Sequence, residues 1–158
     1  MAKEIERKFL VTSEEWREGA HQVHYAQGYL SKEKECTVRV RIAEENAFLT
    51  IKGPVQGISR DEFEYPIPVV DAKEMLQLTR GNIVEKVRHR IQLGAHLWEV
   101  DEFLGKNKGL VVAEVELSDP SESIVFPPWI GKEVTGDPRY YNSSLAVLPF
   151  SEWKPESH

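Results

Sequence analysis

The residues with the most chemistry in this chain come in like-charged sets two positions apart. Glu4 and Glu6, followed by Lys8, open the series. Arg39/Arg41, Glu62/Glu64, Glu99/Asp101 and Glu114/Glu116 repeat it, and Lys52, Arg60, Lys86, Arg88 and Arg90 extend the basic half. In a strand, residues i and i+2 share one face, so each set places like charges side by side. Such neighbours repel unless something of opposite sign lies between them. The planar guanidinium fork suits phosphate oxygens, and paired carboxylates suit a hard divalent cation. An ordinary wet sheet face accounts for any single strand of this kind. A solvated face is usually mixed with Ser, Thr, Gln and Lys, whereas this one is rich in Arg and Glu. Together the sets point to a charged face turned inward, holding a polyanion against cations on one side and a metal on the other.

Alternation predicts eight strands to carry these residues, over 4–11, 27–30, 35–42, 47–52, 58–67, 83–91, 96–103 and 110–117. Hairpin-length connections at Glu44-Glu45-Asn46 and across Gly105 to Gly109 indicate an antiparallel sheet, curled or closed. With the charged face inside, the apolar face needs cover, and the short helices are available for it. A helix start is expected at Thr12 to Trp16, and a second helix over 71–78 with Asp71 as its cap and Glu74 completing a capping box. A short helix is expected over 142–148, capped by Asn142. Phe126-Pro127-Pro128-Trp129 reads as a rigid connector.

The chain has 158 residues, 29% of them charged and 41% hydrophobic, which places it among single globular domains. Residues 1–150 are expected to form that domain and 151–158 a tail. A net charge of −6 argues against nucleic-acid binding through bulk charge. One cysteine, Cys36, excludes a disulfide framework and is read as a small buried residue. No apolar run reaches membrane-spanning length, so the expectation is a cytoplasmic protein with no membrane or nucleic-acid partner, a monomer or homodimer. His21, His24, His89, His96 and His158 show no metal-ligand spacing and are read as surface or structural. The four tryptophans are expected to pack on the barrel wall, and Tyr140 to pack in the core or approach substrate.

Glu4-Ile5-Glu6-Arg7-Lys8 resembles the ExExK signature of the CYTH superfamily, the triphosphate tunnel metalloenzymes. The likeness continues through Thr37–Arg41, Leu49–Gly53, Ser59–Glu64, Val84–Arg88, Glu99–Asp101 and Ala113–Glu116, and into the segments from Phe126 to Thr135 and Arg139 to Asn142. It implies a mostly β (α+β) fold: an eight-stranded antiparallel closed barrel, or tunnel, with short helices packed outside. It also implies cleavage of a triphosphate with Mg²⁺ or Mn²⁺. Among members, the chain is most similar to short bacterial inorganic triphosphatases, which hydrolyse tripolyphosphate. Class IV adenylyl cyclases and nucleoside or thiamine triphosphatases are the alternatives on the same fold, and a non-enzymatic polyphosphate-binding module is a third. In the implied site, Lys8, Arg39, Arg41, Lys52, Arg60, Lys86 and Arg88 bind the triphosphate. Glu4, Glu6, Glu114 and Glu116 bind metal. Glu62 and Glu64 act on the attacking water, Lys8 also serves catalysis, and Asp101 orients a base or supports the metal. Pro138 stands where close relatives often have Lys, so a cation from the C-terminal segment is in question.

Overall fold

Strand after strand finds an antiparallel partner on both sides until the sheet meets itself. The computed structural model describes residues 3–154. Its strands are β1 Lys3–Val11, β2 His21–Glu33, β3 Cys36–Ala43, β4 Asn46–Lys52, β5 Ser59–Ile67, β6 Arg80–Leu93, β7 His96–Phe103, β8 Val111–Glu116 and β9 Ile130–Glu133. Two α-helices, α1 Val69–Leu78 and α2 Asn142–Leu145, join them, with four short 3-10 turns. The hydrogen-bonded order is β5-β4-β3-β2-β6-β7-β8-β1, and β1 pairs back onto β5 to close an eight-stranded barrel. Closure occurs where Lys3, Glu4 and Ile5 lie opposite Asp61, Arg60 and Ser59. Closing the sheet removes the open edges that an unclosed antiparallel sheet would expose.

The ninth strand is a departure from the eight read in the sequence. β9 pairs with the far end of β1, Phe9 opposite Glu133 and Val11 opposite Ile130. It carries Gly131 at its second position and spans only four residues, too few to show alternation. β2 is likewise longer than the stretch 27–30. Bulges between Tyr29 and Ser31, and between Gln27 and Tyr29, break its register and hide its period from the sequence.

Period two puts the odd positions of β1 outward, and cover for this outer face comes from two directions. Phe9, Trp98, Val100, Ala113 and Val115 pack with Trp16, Leu117 and Trp129. On the other side, α1 lays Ala72, Met75 and Leu76 over Val40, Ala47 and Leu49. The cap of α1 differs from expectation. The helix begins at Val69 after Pro68, which makes no side-chain cap, and Asp71 falls in its first turn. There a carboxylate still complements the helix dipole. The expected helix at 12–16 is a single 3-10 turn, Glu15–Arg17, with Trp16 buried. Cys36 is exposed at the β2–β3 hairpin rather than buried.

A third apolar cluster fills one end of the barrel. One step beyond the inward charges on each strand lie Leu10, Val84, Phe103 and Val112, and these pack against Val134, Tyr140, Leu145 and Ala146. The C-terminal segment thus closes that end, with α2 seated there while α1 packs outside. Asn82 N donates to Ala146 O at 2.7 Å. Gly81, at φ +85°, lies so near that a Cβ would meet Ala146 O at 2.5 Å, so glycine is required. Trp153 extends the cover by stacking edge-on against Tyr140 and Phe150. His158 and the rest of 155–158 lie outside the described residues. No helix among the described residues is long and apolar enough to cross a membrane.

Candidate active site

The inward faces enclose a cavity of about 350 Å³. It is lined by Glu4, Glu6, Lys8, Arg39, Arg41, Lys52, Arg60, Glu62, Glu64, Lys86, Arg88, Glu114 and Glu116, bringing together every candidate named from the sequence except Asp101. Asp101 is fully buried behind the lining. Its carboxylate accepts from Lys86 Nζ at 2.7 Å and from Arg88 Nε and Nη2 at 2.7 and 2.9 Å. Burial works against its charge, but Arg88 and Lys86 hold it well below the usual carboxylate range.

The acidic wall is built by register. Glu6 lies opposite Glu116, and Lys8 opposite Glu114, across β1 and β8. Glu114 in turn faces Glu99 across β8 and β7. Two ammonium groups sit among these carboxylates. Lys8 Nζ is 3.7 Å from Glu6 and 3.8 Å from Glu114. Lys52 Nζ is 3.1 Å from Glu4 and 3.3 Å from Glu62. They do not balance the wall. Burial, and then the neighbouring charge of Glu114, pushes the Glu6 carboxyl up to about 8. Burial likewise opposes ionisation of Glu4, yet Lys52 and a hydrogen bond from Glu62 bring it down to about 2. Glu62 shifts up, first through burial and then through Glu4. Glu116 rises through burial and the charges of Glu4 and Glu99. As the side chains stand, no three Asp, Glu, His or Cys groups among the described residues are placed to hold a metal ion. The donor set nonetheless fits one: the oxygens are hard, and a carboxyl raised to about 8 marks a wall short of positive charge.

The basic side is differently partnered. Arg39 Nη2 donates to Thr50 Oγ1 at 3.2 Å, while its Nε is buried with no hydrogen-bond partner. Such an orphaned donor is costly unless a ligand fills it. Arg41 Nε donates to the neutral amide of Gln27 at 2.8 Å. Lys86 is fully buried. Burial pushes its ammonium down to about 7, Asp101 pulling the other way and Arg88 and Arg41 adding to the fall. Arg60 Nε reaches back to Gly53 O at 3.0 Å.

Several lining residues carry no sequence signal of chemistry. Tyr25 is the centre of three cations: Arg41, Arg88 and Lys86 lie 4.5, 5.2 and 5.8 Å from its ring. Its quadrupole draws like charges together without neutralising them. The C-terminal segment contributes Thr135, Gly136, Tyr141, Asn142 and Ser143. Of the two adjacent tyrosines, Tyr141 lines the cavity, with Lys8 Nζ 5.3 Å from its ring, and Tyr140 is buried in the closing cluster. Asn142 does not cap α2, whose capping position is Tyr141; its side chain meets Lys86 and Gln27 instead. Arg139 pairs with Asp137 at 2.9 Å and is not among the lining residues. Of the described histidines, His21 and His24 are exposed on β2. His89 is buried against Trp16 with Nε2 3.2 Å from Glu102, and His96 pairs with Glu122.

Lys86 gives a test of this electrostatics. Above pH 7 the free protein loses its charge, and a bound polyanion restores it. Tripolyphosphate binding without metal should therefore take up protons at pH 8 and weaken from pH 7 to 9. Calorimetry in two buffers of different ionisation heat measures this. Lys86→Arg, which stays charged, should lower the uptake and leave only the share that Glu6 takes as its own carboxyl is pushed further up by the ligand.

Known proteins are similar to this chain along nearly their whole length. A family model for the CYTH domain matches residues 2–141. An inorganic triphosphatase of Acetivibrio thermocellus is 48% identical over 155 residues, covering 98% of this chain and 99% of that one. An inorganic triphosphatase of Nitrosomonas europaea is 38% identical over 150 residues, covering 91% and 97%. A crystal structure of an inorganic triphosphatase, 35% identical, superposes with a TM-score of 0.67 over 90% of this chain and 97% of that one. With the closed charged barrel and matches of this extent, the chain belongs to the CYTH domain family.

Proposed function

We propose that the cavity hydrolyses inorganic triphosphate to pyrophosphate and phosphate with a divalent cation, Mg²⁺ or Mn²⁺. The observation that carries this reading is the division of one enclosed cavity. One side holds Arg39, with its orphaned Nε, beside Arg41 and Lys86, and the other holds carboxylates in excess of their cations. A cavity near 350 Å³ suits a small polyanion. The relatives named above as inorganic triphosphatases support the choice of substrate.

Phosphoryl transfer needs positioning and charge neutralisation more than covalent help. Arg39, Arg41, Lys86 and Arg88 grip the phosphate oxygens, with Lys8, Lys52 and Arg60 completing the cradle. Glu4, Glu6, Glu114 and Glu116 would hold the cation, some through water. When bound, it supplies charge neutralisation of the triphosphate and acidifies water. Glu62 takes a proton from the attacking water, and Glu64 orients that water. A water oxygen–phosphorus bond forms in line as the bridging oxygen–phosphorus bond breaks. Orthophosphate and pyrophosphate leave in equal amounts. Asp101 keeps Lys86 and Arg88 in place. The exposed Cys36 thiol suits a reducing cytoplasm, and a monomer or homodimer remains the reading for assembly.

The test is phosphate release from tripolyphosphate with and without Mg²⁺ or Mn²⁺, alongside ATP with detection of cyclic AMP. Metal-dependent release from tripolyphosphate in preference to ATP is expected. Cyclic AMP formation would replace this reading with a cyclase.

A further inference from the structure

Two neutral amides meet at the basic side of the cavity, Asn142 in its lining and Gln27 behind it, and each touches one of its cations. Gln27 is fully buried on β2, and Asn142 opens α2 in the closing segment, 115 residues away in sequence. Gln27 Nε2 donates to Asn142 Oδ1 at 2.8 Å. The same Oδ1 accepts from Lys86 Nζ at 3.0 Å, and Gln27 Oε1 accepts from Arg41 Nε at 2.8 Å. An ammonium and a guanidinium can only donate, so both amide orientations are fixed by their partners.

We propose that the Gln27–Asn142 pair is a positioning device that sets Arg41 and Lys86 at a fixed spacing without cancelling their charge, so that the C-terminal segment takes part in triphosphate binding. This rests on the triphosphatase reading. The physical reason is the choice of acceptor. Two carboxylates in these positions would hold the cations equally well and then compete with phosphate oxygens for them. Amide oxygens orient the N–H groups and leave the positive field to the ligand. Among the described residues one carboxylate, Asp101, hydrogen-bonds Lys86, and it is shared with Arg88. Asn142 also links binding to closure of the barrel end, since the backbone of its segment is tied to β6 through Ala146 and Asn82.

Asn142→Asp separates this role from simple docking of α2. The variant keeps the shape and both acceptor contacts, so a docking role predicts unchanged activity. A positioning role that depends on neutrality predicts otherwise. The dissociation constant for tripolyphosphate by calorimetry, and KM with metal, should rise about tenfold or more, the scale of a charge-assisted hydrogen bond. Tm should stay level or increase, and kcat should change less than KM. Gln27→Glu should act in the same direction through Arg41, and Asn142→Ser, a neutral acceptor, should stay nearer wild type than Asn142→Asp. Wild-type affinity in both acidic variants overturns the proposal. So does an Asn142→Asp protein whose losses track a fall in Tm. Wild-type protein that binds tripolyphosphate without hydrolysing it refutes the triphosphatase reading and leaves the binding comparison decisive for this one. Wild-type protein that does not bind it refutes both.

Discussion

Lys8→Ala should lower kcat/KM for tripolyphosphate about 10²–10³-fold, the range seen when one preorganised charge donor is removed from a transition state. The barrel should stay folded. The reason lies in which atoms of Lys8 do what. Its backbone N–H donates to Thr135 Oγ1 at 2.9 Å, and its carbonyl accepts from Val134 N at 2.8 Å. Both contacts survive truncation to alanine, so β1 keeps its tie to the closing segment. What is lost is the ammonium with its stem, from between Glu6 and Glu114 and beside the Tyr141 ring. Those carboxylates raise its pKa against the effect of burial, so it is charged throughout the working range. Steady-state kinetics with a thermal melt checks the claim. An active Lys8→Ala enzyme, or an inactive one that has unfolded, would contradict it.

Asp101→Ala should instead damage stability and activity together. The substitution leaves two buried cations, Lys86 and Arg88, without the carboxylate that takes three of their N–H groups. Breaking a buried charge pair from one side costs about 3–5 kcal/mol. At roughly 2–4 °C per kcal/mol for a chain of this size, Tm should fall by about 10 °C. Activity should collapse as well, because Lys86 sheds its proton once the opposing charge is gone and Arg88 loses its orientation. A melt by circular dichroism together with the phosphate-release assay separates the two variants. Lys8→Ala moves the second and spares the first, whereas Asp101→Ala moves both. An Asp101→Ala protein with wild-type Tm would show that the pair is not carrying the charge load assigned to it.

The charged lining was legible because a strand writes its faces with period two. Glu4/Glu6/Lys8, Arg39/Arg41, Lys86/Arg88 and Glu114/Glu116 could be assigned to one face each from spacing alone, and closure brings those faces together. Parity does not say how deep a side chain sits, so Asp101 and Glu99 looked alike. The first is buried beneath the cations, and the second lines the cavity. Tyr25 and Gln27 fell in a bulged strand whose alternation is broken, and neither residue type announces ion binding. Asn before a helix usually caps it, so the sequence at Asn142 suggests a cap. Its actual partners, Lys86 and Gln27, lie 56 and 115 residues away, and no local rule reaches that far. β9 and the closed barrel end were hidden for the same reason. The sequence from Ile130 to Ala146 has weak local preference, and its structure comes from docking onto β1 and β6.

The most direct measurement is the product balance from tripolyphosphate with purified protein. Orthophosphate and pyrophosphate should appear in a one-to-one ratio with Mg²⁺ or Mn²⁺ and cease on chelation. Release that is indifferent to metal, or no release alongside tight binding, would contradict a cavity whose acidic wall works in catalysis.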